Sequence, residues 1–189
     1  MCLERKFEFN KVLKEFKPSI LFLSKFLGIY LAGNIVYGLW IASFNRQADS
    51  VTSAVTMQTS AVLNACGENT EVIDSDRGPT VWLEREDKIV LNVYEGCNGI
   101  NVMIVFVAFI VAYGGSVKAT LWFVPLGLII IHLFNLIRIA LLYVVAQHYQ
   151  SYFYYVHKYI FTGILYLIVF ALWTLWVMKV NGIHEKNKG

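Results

Sequence analysis

The fold is decided by residues 119–146, ATLWFVPLGLIIIHLFNLIRIALLYVVA, in which Arg138 is the only formally charged side chain. A helix of about 20 apolar residues is long enough to cross a hydrocarbon core ~30 Å thick. Residues 119–146 are therefore predicted to form a transmembrane helix. Three further apolar stretches, 19–44, 98–117 and 159–178, are predicted to do the same.

The composition of the 189-residue chain agrees with this prediction. Apolar residues make up 57% and charged residues 15%, whereas a soluble domain carries roughly a quarter charged residues. The first stretch is too long for a signal peptide and lacks a clear small-residue cleavage site, which favours an anchor. The small, dispersed net charge of +3 does not indicate nucleic-acid binding. We therefore expect an all-α membrane protein of about four transmembrane helices with a small β-containing extracytoplasmic loop region.

Lysine and arginine indicate how the chain is oriented, because they concentrate in cytoplasmic segments. The terminal segments 1–18 and 179–189 are basic, whereas segment 45–97 holds four basic residues against nine acidic ones. The basic residues of the two ends are Arg5, Lys6, Lys11, Lys14, Lys17, Lys179, Lys186 and Lys188. This asymmetry predicts that both termini are cytoplasmic, and that segment 45–97 and the aromatic loop 147–158 lie on the outer face.

The outer segment 45–97 is predicted to contain one helix and a small sheet. Residues 45–65 carry apolar side chains at loosely helical spacing, and 67–69 break that pattern. Short runs with strand-like composition follow at 71–73, 80–83 and 89–94, with a plausible hairpin turn over 84–88. The last predicted strand leads directly into Glu95-Gly96-Cys97-Asn98-Gly99. Such glycine-flanked sequences separate a strand from a helix, which places Cys97 at the outer mouth of the second span.

Arg138 is the least expected residue within an apolar stretch. An arginine near the bilayer centre costs ~2.5–3.5 kcal/mol on insertion scales and usually faces a partner inside the bundle. Asn135 and His132 precede it at intervals of three residues, which places all three on one arc of the helix. One interpretation is structural, with the arginine bonded to backbone carbonyls or a lipid headgroup. For His132 we expect interhelical hydrogen bonding.

The cysteines allow two interpretations. Cys66 and Cys97 are both predicted on the outer side, where a disulfide could form in an oxidising compartment; Cys2 receives no role. Alternatively, the helix N-terminus that follows Cys97 favours a thiolate, although a nearby Glu95 carboxylate would oppose it. A positive partner is then needed, and Arg138 and His157 are the candidates. Four-helix packing could bring these side chains together.

Three blocks of the chain resemble the exosortase/archaeosortase family of membrane transpeptidases. They are Val93-Tyr94-Glu95-Gly96-Cys97-Asn98-Gly99-Ile100, then Pro125 followed by Asn135-Leu136-Ile137-Arg138-Ile139, and finally His157 with Gly163. The resemblance covers roughly residues 15–180 and is strongest to the exosortase F group of Bacteroidetes. Many members of the family have about twice as many spans, so the chain resembles their catalytic core alone.

The resemblance implies a cysteine protease or transpeptidase acting on C-terminal sorting signals at the outer face of a bacterial inner membrane. Cys97 would form a thioester, His157 would act as general acid and base, and Arg138 would stabilise the oxyanion or the thiolate. Asn135 and Asn98 would support them. Implied substrates are membrane-anchored proteins with a short motif, a transmembrane helix and a basic tail; the acceptor is water, a lipid or a glycan.

Two other classes of protein remain as alternatives. A four-helix thiol-disulfide oxidoreductase would also carry outer cysteines, but it would be expected to pair them, and only Cys66 could partner Cys97. A non-enzymatic membrane subunit would use the same polar residues to hold its helices together. No cofactor is expected. No metal site is expected either, because the four histidines are scattered and are not paired with acids at ligand spacing.

Overall fold

A computed structural model describes residues 2–45 and 47–186, with side chains from 16 to 182 apart from 46. Arg46, Lys188 and the other residues of 187–189 lie outside the described residues. The basic ends that predict the orientation are therefore described only in part. Within the described residues the fold is mostly helical, with one three-stranded sheet.

Helix α1 is continuous from Cys2 to Ala42, with Pro18 inside it. The predicted N-terminal segment 1–18 and the first span thus belong to one helix. Residues Phe16–Ala42 form a candidate membrane span in which every described side chain is exposed or half-buried and none is buried. Exposed apolar surface of this extent is matched to lipid.

Two further helical segments are long and apolar enough to cross a membrane within the described residues. These are α4, Val117–His148, and the run Gln150–Gly182. Helix α3, Ile100–Tyr113, has 14 residues and is only about 21 Å long at 1.5 Å per residue. Three spans are therefore found by length, and the predicted fourth, residues 98–117, is a shorter apolar helix.

The predicted aromatic loop 147–158 is instead largely helical. A 3₁₀ turn, Gln150–Tyr152, leads through the short helix α5, Phe153–Tyr155, into a π-helical segment, Val156–Phe161. Helix α6, Thr162–Lys186, continues from it. The prediction was wrong because tyrosine-rich composition indicates an interfacial position but does not by itself exclude helix.

Segment 45–97, which is predicted to lie on the outer face, contains α2, Ser50–Ala65, followed by an antiparallel sheet. Its strands are β1, Glu71–Asp74; β2, Thr80–Arg85; and β3, Lys88–Tyr94, in the order β1-β2-β3. The hairpin between β2 and β3 turns at Glu86 and Asp87, which have positive φ angles of 53° and 59°. Two consecutive left-handed residues are the geometry of a two-residue type I′ hairpin turn.

Helix α2 buries a threonine face that its apolar spacing does not predict. Asp49 accepts hydrogen bonds at the helix N-terminus from the backbone N–H groups of Val51 and Thr52, each at 2.9 Å, as expected for an N-cap aspartate. Thr52, Thr56 and Thr59 are fully buried. The hydroxyls of Thr56 and Thr59 donate back to carbonyls one turn earlier, at 2.8 Å, so they can be buried without losing their hydrogen bonds.

Two apolar clusters form the interior. The first cluster joins α2, the sheet and the second half of α4, and its members are Val55, Leu63, Leu83, Leu91, Val93, Cys97, Leu136, Ile139, Leu142 and Tyr143. The second cluster joins α3, the first half of α4 and α6, around Phe106 and Trp176. Cys97 is thus part of the first cluster, at the level where α3 begins.

Candidate active site

Cys97 ends a 3₁₀ turn, Glu95–Cys97, that connects β3 to α3. Gly99 then adopts a left-handed conformation with φ 86°, which glycine reaches at little steric cost. The Asn98 side-chain oxygen accepts a hydrogen bond from the Ile100 backbone N–H at 3.0 Å. The sharp strand-to-helix change therefore depends on Asn98 and Gly99, and it leaves the Cys97 side chain 5% exposed.

Asn98 also joins this turn to α1 and α2. Its side-chain nitrogen donates to the Tyr37 hydroxyl at 2.8 Å and to Thr52 Oγ1 at 3.1 Å. The Tyr37 hydroxyl in turn donates to the Glu95 carbonyl at 3.4 Å. Asn98 is only 1% exposed, so these bonds replace contacts with water. The predicted supporting residue Asn98 thus holds the turn on both sides of Cys97.

Asn135 connects the turn to α4. Its side-chain nitrogen donates to the Cys97 carbonyl at 2.9 Å, and its side chain is fully buried. A Cβ atom at Gly99 would lie 3.2 Å from the Asn135 amide carbon, so the close approach also requires glycine. On its other side, Asn135 Oδ1 accepts a hydrogen bond from Arg138 Nη1 at 3.2 Å. Arg138 and the turn that carries Cys97 are therefore joined through Asn135.

The guanidinium group of Arg138 has a hydrogen-bond donor that is not used. Its Nε is buried and has no hydrogen-bond partner among the described residues. Its charge acts on both Cys97 and His157, so the arginine lies within electrostatic range of both side chains. A buried donor without a partner is costly, and such a group is available to a ligand or a reacting oxygen.

Cys97 and His157 line the same cavity, whose volume is about 290 Å³. The other lining residues come from β3, α4 and α5: Leu91, Asn92, Val93, Tyr94, Ile139, Leu142 and Phe153. His157 lies in the π-helical segment, a form that is rare and frequently found at functional sites. Its ring stacks on Phe153, with centroids 5.8 Å apart, and its Nδ1 is buried without a partner among the described residues.

Burial raises the pKa of the Cys97 thiol above its ordinary value. The Arg138 charge and hydrogen bonds from Tyr94 act in the opposite direction, and the Glu95 carboxylate adds to the increase. The helix N-terminus had favoured a thiolate, so this direction differs from the sequence-based expectation. The difference arises because desolvation of a buried thiolate outweighs the favourable charges and dipoles around it.

Tyr94 is a residue of this site that sequence reasoning did not single out. Its ring lies across the turn, because a Cβ atom at Gly96 would be 2.3 Å from Tyr94 Cε2 and 3.1 Å from its hydroxyl oxygen. Only a residue without a side chain fits beneath the ring. The alternation of β3 could have indicated Tyr94, since it lies on the same strand face as the exposed Asn92.

The remaining sequence-predicted residues lie outside the cavity. His132 Nε2 is 2.7 Å from Gln58 Oε1 on α2, which confirms the expected interhelical hydrogen bond. Cys66 is free and exposed, and Cys97 is free and buried. Within 2–45 and 47–186 no group of three or more His, Cys, Asp or Glu side chains is placed to hold a metal ion.

The fold and the cavity together define a multispan membrane protein with a buried cysteine and a histidine facing one pocket. A family model described as transmembrane exosortase matches residues 19–177. The chain therefore belongs to the transmembrane exosortase family, whose members have a membrane transpeptidase-like function. Comparison with curated proteins and with solved structures returns no match.

Proposed function

We propose that this protein is a membrane cysteine protease or transpeptidase that cleaves the C-terminal sorting signals of exported proteins. The observation that carries the proposal is the cavity shared by Cys97 and His157, with Arg138 held beside it through Asn135. A nucleophile, a proton carrier and a cationic hydrogen-bond donor are the groups that acyl transfer requires.

The proposed reaction has two halves. His157 accepts the Cys97 proton, and the sulfur attacks the scissile carbonyl, whose π electrons move to the oxygen. Arg138 donates hydrogen bonds to this oxyanion. The carbonyl re-forms, the C–N bond breaks, and His157 returns the proton to the leaving amine, which leaves a thioester on Cys97. In the second half His157 deprotonates water or an acceptor hydroxyl, whose oxygen attacks the thioester carbonyl. The C–S bond then breaks, and His157 returns the proton to the Cys97 sulfur.

The raised pKa of Cys97 favours a thiol at rest, so this mechanism generates the thiolate only when His157 removes the proton. A neutral thiol in an apolar cavity costs little to bury. The enzyme then avoids holding an uncompensated anion before the substrate arrives.

The proposed substrates are membrane-anchored proteins with a C-terminal motif, a transmembrane helix and a basic tail, in the inner membrane of a bacterium. Within the family, we propose that the protein belongs to the exosortase F group. The membrane-anchored form of the substrate fits a cysteine that lies at the end of a membrane-embedded helix bundle, because cleavage there separates the exported domain from its anchor.

Replacing His157 with alanine is expected to abolish turnover. Cells that lack the native gene and carry the variant should accumulate exported proteins that keep their C-terminal helix and basic tail. Cells that carry the wild-type chain instead should not. The measurement is mass spectrometry of C-terminal peptides from the envelope fraction. The matched control is His148→Ala, which changes an exposed histidine outside the cavity and should support normal cleavage. Equal cleavage by wild type and His157→Ala would contradict the proposed acid–base role.

The proposed orientation places both termini in the cytoplasm and the sheet on the outer face. In a background without the native cysteines, a cysteine at Asp76 should react with an impermeant maleimide in intact cells. Cysteines at Lys6 and Lys186 should react only after the cells are permeabilised. Labelling of a cysteine at Lys186 in intact cells would contradict the proposed orientation, because Cys97 would then lie near the cytoplasmic face.

A further inference from the structure

We propose that the Tyr94 hydroxyl donates a hydrogen bond to the Cys97 sulfur and is a further catalytic residue of this site. The inference rests on the proposed function in one respect, that Cys97 is the nucleophile. Neither the family match nor the three sequence blocks assign a function to this tyrosine.

The backbone turn fixes the position of the tyrosine relative to the cysteine. Tyr94 ends β3 and Cys97 ends the next turn, so two residues separate them. The intervening Gly96 allows the ring to lie over the turn that leads to Cys97, because any Cβ atom there would collide with Tyr94 Cε2 at 2.3 Å. Both Tyr94 and Cys97 then face the same cavity.

The interaction between the two side chains has the polarity of a donor and an anion. The hydroxyl of Tyr94 lowers the pKa of Cys97, whereas the charge of Cys97 is the main cause that raises the pKa of Tyr94. A tyrosine with a raised pKa stays protonated throughout the neutral range and can only donate to the thiolate. It therefore supplies a hydrogen bond but no proton to the reaction.

This hydrogen bond complements the role of Arg138. Burial disfavours the thiolate that the attack requires, and the arginine is anchored on α4 through Asn135. The Tyr94 hydroxyl donates its hydrogen bond to the sulfur from the side of β3. When the S–C bond forms, the negative charge moves from the sulfur to the carbonyl oxygen, and the hydroxyl is then free to turn towards the oxyanion in the same cavity.

The charged and titratable groups that face Cys97 come from several elements. They are Tyr94 from β3, Glu95 from the turn, Arg138 from α4 and His157 from the π-helical segment. Any test of the tyrosine must therefore leave the other three unchanged. Tyr94→Phe does so, because it removes one oxygen and keeps the ring over Gly96.

The test is the pH dependence of Cys97 alkylation by iodoacetamide in membranes, in a Cys2→Ser, Cys66→Ser background. This readout needs no substrate. Loss of one hydrogen bond to a charged acceptor should move the midpoint of the profile up by about one pH unit. A thiolate of higher pKa is also more nucleophilic, with a Brønsted coefficient of about 0.4–0.5. Below both midpoints Tyr94→Phe should therefore react about threefold more slowly, and above both about threefold faster.

Crossed profiles separate a lost hydrogen bond from a loosened site. Looser packing would increase alkylation at every pH, without a crossing. The second variant, Gly96→Ala, keeps the hydroxyl but displaces the ring, and it should shift the midpoint in the same direction. Tyr155→Phe, which alters an exposed tyrosine outside the cavity, should reproduce the wild-type profile.

Two results would overturn the proposal. The first is a Tyr94→Phe profile that matches wild type, which would mean that the hydroxyl does not act on the sulfur. The second is a shifted profile with undiminished substrate cleavage, which would deny the hydroxyl a part in catalysis. Neither result bears on whether Cys97 is the nucleophile, because that is decided by Cys97→Ser.

Discussion

Cells that carry Cys97→Ser in place of the wild-type chain are expected to contain normal amounts of inserted protein and only uncleaved substrate. Serine is close to cysteine in size, so the site that leaves Cys97 5% exposed can accommodate it. Its hydroxyl, however, is far less acidic and cannot be ionised by a histidine suited to a thiol. Cleavage should fall to the background of a deletion strain. An immunoblot of the membrane fraction, together with C-terminal peptide analysis of the envelope proteins, measures both quantities.

Cys66→Ser is the matched control for this substitution. Cys66 is exposed at the end of α2 and forms no disulfide with Cys97, so its loss should leave cleavage unchanged. Equal damage from the two serine variants would instead favour the thiol-disulfide class of enzyme. Full cleavage by Cys97→Ser would favour the non-enzymatic membrane subunit.

Arg138→Lys should fold and insert but lose about 10²–10³-fold in the rate of cleavage, the loss typical of a missing oxyanion donor. Lysine keeps the positive charge, but it lacks the planar set of donors that lets Arg138 bond Asn135 while Nε stays available. The measurement is single-turnover cleavage in membranes. The same variant should alkylate at Cys97 with a midpoint at higher pH, because lysine cannot hold its charge at the place where the Asn135-bonded guanidinium lowers the thiol pKa.

Arg85→Lys provides the control for changing an arginine in this chain. Arg85 pairs with Glu68 near the sheet and does not line the cavity, so cleavage and alkylation should both match wild type. An Arg138→Lys enzyme with wild-type cleavage would remove Arg138 from the site. An unchanged alkylation profile with impaired cleavage would restrict the arginine to the oxyanion.

The helices and strands could be predicted largely because their signals are local. Long apolar stretches indicated the positions of α1, α4 and α6, and short runs of strand-like composition indicated the three strands. The length of α3 could not be predicted in the same way. The predicted span 98–117 extends past Tyr113, but Gly114 and Gly115, with φ of 82° and 143°, end the helix there. A glycine pair of this kind indicates a tight connection between two helices, but it does not indicate at which residue the first helix ends.

Residues of the candidate site could be singled out only where a residue type is unusual for its place in the chain. A charged Arg138 within an apolar stretch and a cysteine between glycines stand out in this way. Tyr37 and Thr52 do not, because their roles depend on bonds to Asn98, which lies far along the chain from both. The acidity of Cys97 was misjudged for a similar reason. A helix N-terminus can be predicted from sequence, whereas burial depends on tertiary packing.

The hydrogen bond between Asn135 and the Cys97 carbonyl also sets the height of Cys97 along α4. Asn135 is 18 residues beyond Val117, or about 27 Å along the helix axis. If Val117 marks the inner boundary of a hydrocarbon core ~30 Å thick, Cys97 lies close to the outer boundary. The enzyme would then act as a molecular ruler, because a substrate held at the inner face by its basic tail presents one particular peptide bond at that height. Each added helical turn in the substrate would lift that bond by about 5.4 Å, out of reach of a cysteine that cannot follow it.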